Sequence, residues 1–183
     1  MGSIVVQLLP LVGVVLGAGA TFSATALNQR AKWRRGHDAR WDEKRLVAYS
    51  EFANALKRSA TSSNRVAATL GYPVAVQPID VDEGLRAMAE AEADKTTKWE
   101  VVLLLGSPAA VAAARSWNRA AWELSWVARG RVMEHTAYIE LFAEMGRRRN
   151  AFYECARADL GVCTGALPPG DQPWLPPCDD SER

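Results

Sequence analysis

The stretch LLLGSPAAVAAARSWNRAAWELSWVARG, residues 103–130, contains the end of one helix, a turn and the whole of a second helix. Gly106 can end the first helix, Ser107 can cap the second, and Pro108 fits its first position. Gly130 then marks another short turn. Turns this short place consecutive helices side by side in opposite directions, so the stretch predicts an antiparallel helical bundle.

Helical periodicity continues on both sides of this stretch. Apolar side chains recur at steps of three to four residues, which is the spacing of one face of an amphipathic helix. Four helices fit the pattern, and glycine, proline and aspartate mark their ends. The residues that mark these ends are Gly71 and Pro73, Asp80 or Asp82, Gly106, Gly130 and Gly161, and the helical period of the fourth helix starts at Val132.

Two segments are ambiguous. The periodicity of the first helix weakens through SATSSNR, residues 59–65, and returns at Val66. The run WEVVLLL, residues 99–105, fits either a helix or a short buried strand. We favour helix for this run, because its period joins that of the preceding residues without a break.

The first 29 residues carry no charged side chain. Among them, residues 4–27 read IVVQLLPLVGVVLGAGATFSATAL, and a helix of this length spans about 36 Å, more than the roughly 30 Å core of a bilayer. We therefore predict a transmembrane anchor over residues 1–28. A cleaved signal peptide and a buried core helix are the alternatives. The first lacks a basic start, and the second rarely runs so far without a charge.

Basic residues follow the anchor at once, in a predicted linker over residues 29–40. The positive-inside rule places such a flank in the cytoplasm. We therefore predict a single-pass cell-membrane protein with its N-terminus outside and the bulk of the chain cytoplasmic. The linker is also expected to contact the lipid bilayer, because basic side chains attract anionic headgroups and tryptophan fits the interface. The predicted contacts are Arg30, Lys32, Trp33, Arg34 and Arg35.

Small residues recur every four positions along the anchor. Gly13 and Gly17 form a GxxxG pair, and Thr21 extends the same edge by another turn. In lipid, helices associate through close backbone approach, which small side chains permit. The pattern predicts a homodimer through this face of the anchor.

From Val162 the chain reads VCTGALPPGDQPWLPPCDDSER, which is rich in proline and acidic residues. This composition is too poor in apolar residues to predict a packed element, so we predict an extended or disordered tail over residues 162–183. Residues 41–161, between the linker and the tail, are then the helical bundle domain.

Three passages resemble a known kind of protein. They are WRRGHDARWDEKRLVAYSEFANALK (33–57), LLLGSPAAVAAARSW (103–117) and RRRNAFYECARADLG (147–161). Together they are similar to uncharacterised bacterial proteins with one N-terminal membrane helix, a basic juxtamembrane run and an alanine-rich helical cytoplasmic domain. The resemblance implies the same architecture here. It brings no established activity, so it implies no catalytic residue.

The sequence offers few groups for catalysis or metal binding. Its two histidines, His37 and His135, form no HxxxH or ExxH pair, and its three cysteines form no CxxC pair, so no zinc or di-iron site is indicated. Neither glycine-rich phosphate motif occurs, and we expect no cofactor. A net charge of +1 gives no general attraction for nucleic acid, and the arginines at 147–149 are typical of a charged helix face.

Three tryptophans crowd the third helix. Trp122 and Trp126 lie one turn apart on a shared face, whereas Trp117 points elsewhere. Such residues usually pack in or beside a core, but Trp117 or Trp126, if exposed, would be the centre of a partner surface. We therefore favour a non-enzymatic, membrane-tethered interaction or scaffold protein with an unidentified protein partner.

Two other classes of function stay open at this point. One is a ligand-binding or enzymatic bundle that uses scattered residues such as Arg115, Asn118 and Glu123. Buried polar groups that converge on a cavity would favour this class. The other is an anionic-lipid-binding protein that uses residues 30–45 at the membrane surface.

Overall fold

The computed structural model of the protein describes residues 41–162 and 164–170. Within these ranges the chain has four helices and no strand, which confirms the predicted all-α fold. Apart from residues 41–43, all described residues belong to one compact unit that begins at Lys44. The helices are α1 (41–69), α2 (Val81–Leu105), α3 (Pro108–Ala128) and α4 (His135–Asp159).

Helices α2 and α3 begin at the capping residues that the sequence indicates. The Asp80 carboxylate accepts a hydrogen bond from the backbone N–H of Glu83 at 3.0 Å. The Ser107 hydroxyl oxygen accepts one from the backbone N–H of Ala110 at 3.1 Å, and Pro108 takes the first helical position. Both caps satisfy N–H groups that have no partner inside the helix.

The connections after α1 and α3 each pass through a glycine in the left-handed region. Gly71 has a φ of 87° and Gly130 a φ of 93°. Residues with a side chain rarely adopt this conformation, so these two glycines end their helices as predicted. Residues 99–105 form the last turns of α2, which confirms helix rather than strand for that run.

Helix α4 begins three residues later than the periodicity predicts. It starts at His135, and Val132 is 91% exposed. The Tyr72 hydroxyl donates a hydrogen bond to the backbone carbonyl of Met133 at 3.0 Å and accepts one from the Met133 N–H at 2.9 Å. In a helix starting at Val132, that carbonyl would bond to the N–H four residues later. Tyr72 takes it instead.

The largest hydrophobic cluster joins all four helices. Phe52 of α1 packs edge-on against Trp117 of α3 and Phe152 of α4, with ring centroids 6.4 and 5.9 Å apart. Val102 adds α2 to the same cluster. Each fully buried side chain of this size contributes about 1.5–3 kcal/mol, so this cluster is the main source of stability at its end of the bundle.

Side-chain contacts set the helix directions. Glu51 pairs with Lys98 at 3.5 Å, and Ser59 donates a hydrogen bond to Glu92 at 2.9 Å. Residue numbers therefore increase along α1 in the direction in which they decrease along α2. Helices α3 and α4 are related in the same way, which makes both pairs antiparallel. The corresponding pairs are Trp117 with Phe152 and Leu124 with Tyr138.

The second half of α1 buries polar side chains. The Asn64 side-chain oxygen accepts a hydrogen bond from the Tyr138 hydroxyl at 3.0 Å. The Ser63 hydroxyl donates to the backbone carbonyl of Leu124 at 3.4 Å. Polar residues therefore occupy core-facing positions, and this is why the hydrophobic periodicity fades over residues 59–65 although the helix continues.

Among the helices in the described ranges, none combines the length and the hydropathy that a membrane span requires. The predicted anchor and linker lie outside the described residues, and so does the tail from residue 171 onward. The individual predicted residues that lie outside are Gly13, Gly17, Thr21, Arg30, Lys32, Trp33, Arg34, Arg35 and His37.

Candidate protein-interaction surface

An exposed aromatic surface lies on the second half of α3 and on the residue that caps its end. It consists of Trp122, Trp126 and Arg129, and we call it the tryptophan patch. The two indole rings meet edge to face with centroids 5.6 Å apart, and the side chains are 44% and 42% exposed. The Arg129 guanidinium carbon lies 5.3 Å from the Trp122 ring and 6.0 Å from the Trp126 ring. Both distances are within the range of a cation–π interaction.

The three tryptophans of α3 have different surroundings because of their spacing. Trp122 and Trp126 are four residues apart and share a face. Trp117 precedes Trp122 by five residues, which turns it about 140° around the helix axis. It is only 2% exposed and packs between Phe52 and Phe152. Trp117 therefore drops out of the predicted partner surface, whereas Trp126 has the exposure that the hypothesis requires.

Arg129 caps the C-terminal end of α3, and that helix holds its side chain in place. Its guanidinium donates hydrogen bonds to the backbone carbonyl of Ser125, at 3.3 Å, and to the Ser125 hydroxyl. That hydroxyl in turn donates to the backbone carbonyl of Trp122 at 2.7 Å. A side chain that is already ordered loses less entropy when a partner binds. Sequence reasoning missed Arg129, although the spacing of Trp122, Trp126 and Arg129 (i, i+4, i+7) was a signal for it.

The three residues proposed for a ligand-binding or enzymatic site do not all share one face of α3. Arg115 lies over the ring of Trp99, with its guanidinium carbon 5.8 Å from the centroid. The Asn118 side-chain oxygen is buried and accepts no hydrogen bond within the described part of the chain. Glu123 is half-buried and follows Asn118 by five residues, about 140° around α3. Asn118 and Glu123 therefore do not converge on one cavity.

An open groove of about 690 Å³ lies between α1 and α2. Two basic side chains, Lys57 and Arg58, and two acidic ones, Glu90 and Asp94, line it. Arg58 and Asp94 form an ion pair across it. With balanced charge and an internal ion pair, the groove has no evident preference for an anion or a cation.

A polar junction connects the start of α1, the α2–α3 turn and the end of α4. The Asp159 carboxylate accepts hydrogen bonds from the Tyr49 hydroxyl and from the backbone N–H of Ser107, the latter at 3.1 Å. Burial acts to raise the pKa of Asp159, but the bonds from Tyr49 and Ser107 outweigh it and hold that pKa below its usual value. Burial, with Asp159 beside it, raises the pKa of Tyr49. At neutral pH the junction thus joins a carboxylate to a neutral phenol, which suits a structural role.

The arginines of α4 are partly neutralised by a neighbour. Glu144 pairs with Arg147 and Arg148, both at 2.7 Å. The hydrogen bonds from Arg148 and Arg147 lower the pKa of Glu144. Arg149 donates to Asn150 at 3.2 Å. This arrangement agrees with a charged helix face.

The other potentially reactive groups have ordinary surroundings. Burial raises the pKa of the Cys155 thiol, and Asp159 and Glu154 raise it further, which disfavours the nucleophilic thiolate. His135 lies against Tyr72, with ring centroids 5.3 Å apart. In the described ranges, no three histidine, cysteine or acidic side chains are grouped so that they could hold a metal ion.

Comparison of the chain with protein-family models, with curated proteins and with solved structures finds no match. The tryptophan patch and the sequence before residue 41 are therefore the two features of this chain from which a function can be proposed.

Proposed function

We propose that this protein is a single-pass membrane protein whose helical domain binds another protein in the cytoplasm. The proposal of an anchor is supported by the charge-free residues 4–27 and by the basic residues at 30–40 that follow them. The observation that carries the binding function is the tryptophan patch. Large aromatic side chains beside arginine are the residue types that contribute most energy in protein interfaces.

The proposed topology can be tested with fusions after Arg183. A reporter that is active only outside the cytoplasm should be silent there, and one that folds in the cytoplasm should be active. The reverse pattern would overturn the orientation and favour the secreted alternative. Carbonate extraction of the same fusions should leave them in the membrane fraction. Release of the fusions into the supernatant would show that the chain is not anchored in the membrane.

The binding function can be tested by purification from detergent-solubilised membranes, with bound proteins identified by mass spectrometry. We expect Trp126→Ala to lose a partner that the unchanged protein retains, with affinity reduced by at least about 30-fold for a loss of 2 kcal/mol. Leu104→Ala on α2 is the matched control, because Leu104 is apolar and 80% exposed but lies on another helix. Equal recovery with both variants would exclude the patch as the binding surface.

The anchor is also proposed to bring two copies together through Gly13, Gly17 and Thr21. Replacing Gly13 or Gly17 with isoleucine should weaken dimerisation in a two-hybrid assay for membrane helices, because the bulky side chain prevents close backbone approach. Val14→Ile is the control, since that side chain lies off the small-residue edge. Unchanged association of Gly17→Ile would show that the glycines are not an interface.

The anionic-lipid alternative concerns residues 30–45, of which Arg30, Lys32, Trp33, Arg34 and Arg35 are the proposed contacts. Flotation with vesicles that contain or lack anionic lipid would distinguish it from protein binding. If the alternative is right, changing the four basic residues of this set to glutamine should abolish the preference for anionic vesicles. Under our proposal, purified protein with these changes should still bind the partner through the tryptophan patch.

A further inference from the structure

The described part of the tail runs back along α4. Arg157 donates hydrogen bonds to Thr164, including one to its hydroxyl oxygen at 2.8 Å. Farther along, the Asn150 side-chain amide donates to the carbonyl of Pro168 at 2.5 Å. As the tail advances from Thr164 to Pro168, its partners on α4 recede from Arg157 to Asn150. The tail therefore travels toward the N-terminal end of α4.

The last described residue, Gly170, lies directly on the helix. Arg149 donates a hydrogen bond to its carbonyl at 3.5 Å. A Cβ atom on Gly170 would overlap the carbonyl of Gly146 and would come within 2.7 Å of the Asn150 side chain. Gly146 itself is buried. Two glycines thus allow the tail backbone to touch the helix backbone at this point.

These contacts give the distance that the tail advances per residue along the axis of α4. The contact of Thr164 with Arg157 and the contact of Gly170 with Gly146 are six residues apart along the tail and eleven residues apart along α4. Eleven helical residues at 1.5 Å correspond to about 16.5 Å, so the tail advances about 2.75 Å per residue. This value is close to the rise of about 3.1 Å in a polyproline helix, as the proline content of the segment favours.

An apolar strip continues the same face of α4 beyond Gly146. Phe142 and Ile139 precede Gly146 by four and seven residues, which is the spacing of one helix face. Phe142 is 40% exposed and Ile139 is 50% exposed, and neither belongs to the hydrophobic clusters of the described residues.

We propose that residues 172–177 of the tail, QPWLPP, dock on this strip and that Trp174 covers Ile139 and Phe142. Trp174 follows Gly170 by four residues, which is about 11 Å at the same advance of about 2.75 Å per residue. On α4 that distance corresponds to about seven residues, from Gly146 to Ile139. The large apolar side chain of the tail thus reaches the exposed apolar side chains of the helix in register.

The chemistry of the segment suits this site. A tryptophan supplies a large contact area, and flanking prolines limit the freedom of the free segment, so less entropy is lost on docking. Proline-rich segments bind aromatic and apolar surfaces in this extended form in many recognition domains. Here the proline-rich segment belongs to the same chain and is held next to the strip by the contact at Gly170. The tail acts as a strap over α4.

The test is fluorine NMR of the full chain in detergent micelles, with tryptophan replaced by 5-fluorotryptophan. Trp174→Phe assigns the Trp174 signal, and a labelled peptide of residues 171–183 gives its position in the undocked state. We expect the Trp174 signal of the full chain to differ from that of the peptide. Ile139→Gln should shift it to the peptide position, and so should Phe142→Gln, while the signal of buried Trp117 stays in place.

Val132→Gln is the matched control. Val132 is apolar and 91% exposed but precedes α4, and its replacement should leave the Trp174 signal unchanged. Coincidence of the Trp174 signal with that of the peptide in the unchanged protein would overturn the proposal. A Trp174 signal whose position is unchanged in Ile139→Gln and Phe142→Gln would also overturn it, since the contact would then lie elsewhere. Return of the signal to the peptide position on dilution would assign the docking to a second copy and would likewise exclude the intramolecular strap.

Discussion

The two halves of α1 contact the rest of the bundle through different chemistry. The first half presents Tyr49 and Phe52 to the large apolar cluster. The second half presents Ser63 and Asn64, which are also buried, at 0% and 7% exposure, but make hydrogen bonds. Both halves belong to one continuous helix, so the change of chemistry lies in the packing and not in the backbone.

This difference indicates how the bundle combines stability with a defined arrangement of its helices. Apolar contacts scale with buried area and accept small changes of geometry. A buried amide such as Asn64 needs one partner at one distance, because an unsatisfied polar group in the core costs free energy. We infer that the first half of α1 supplies most of the stability and that the second half fixes how α1 sits against α4.

The largest expected effect is in the first half. Phe52→Ala should lower the free energy of unfolding by about 3–5 kcal/mol, because it removes a fully buried ring from contact with Trp117 and Phe152. Urea denaturation followed by circular dichroism measures the change. Leu104→Ala, at an 80% exposed position, should change stability little. If both variants lose less than 1 kcal/mol, the apolar half is not the main source of stability.

The second half should respond differently. Asn64→Ala is expected to cost about 1–3 kcal/mol, since it leaves the buried Tyr138 hydroxyl without its acceptor. Adding Tyr138→Phe removes that hydroxyl as well. The double variant should therefore lose less stability than the sum of the two single losses. Strict additivity would mean that the hydrogen bond does not couple the two helices.

The halves of α1 also differ in what their sequence could predict. Its first half follows the apolar helical period, and that period together with Gly106, Ser107 and Gly130 was enough to predict a helical bundle. Its second half gave a fading period, because Ser63 and Asn64 face the core through partners that are distant in sequence. Pairing across 74 residues, as between Asn64 and Tyr138, leaves no local signal.

The candidate surface was predictable only in part, for a related reason. The spacing of Trp122 and Trp126 showed that they share a face, and it separated Trp117 from them. It did not show which face was buried, since both faces of α3 carry apolar residues. The late start of α4 could not be predicted from local sequence either, because it depends on hydrogen bonds between Tyr72 and Met133, which are 61 residues apart.

The polar junction at Tyr49 gives the first half of α1 a pH dependence. The pKa of Asp159 is lowered in the folded protein, so the carboxylate adds stability above the unfolded pKa of about 3.9. That contribution is lost as the pH falls through the lower folded pKa. Unfolding midpoints should therefore drop more steeply below about pH 4 for the unchanged protein than for Asp159→Asn. Parallel curves would show that the Tyr49 contact does not depend on the charge of Asp159.

The smallest effect is expected where α1 makes a polar contact at the surface. Arg58 and Asp94 form an ion pair near the part-buried Ser59–Glu92 contact, but their side chains are 55% and 37% exposed. Water screens such a pair, so Asp94→Asn should cost about 0.2–1 kcal/mol, and 1 M salt should remove most of that difference. Ser59→Ala, one residue from Arg58, removes a hydrogen bond made by a 3% exposed residue and should cost more at both salt concentrations. Urea unfolding of the two variants at low and high salt measures the contrast. If Asp94→Asn is the more costly change in 1 M salt, burial is not what makes the polar contacts of α1 strong, and the distinction between its two halves would have to be drawn on other grounds.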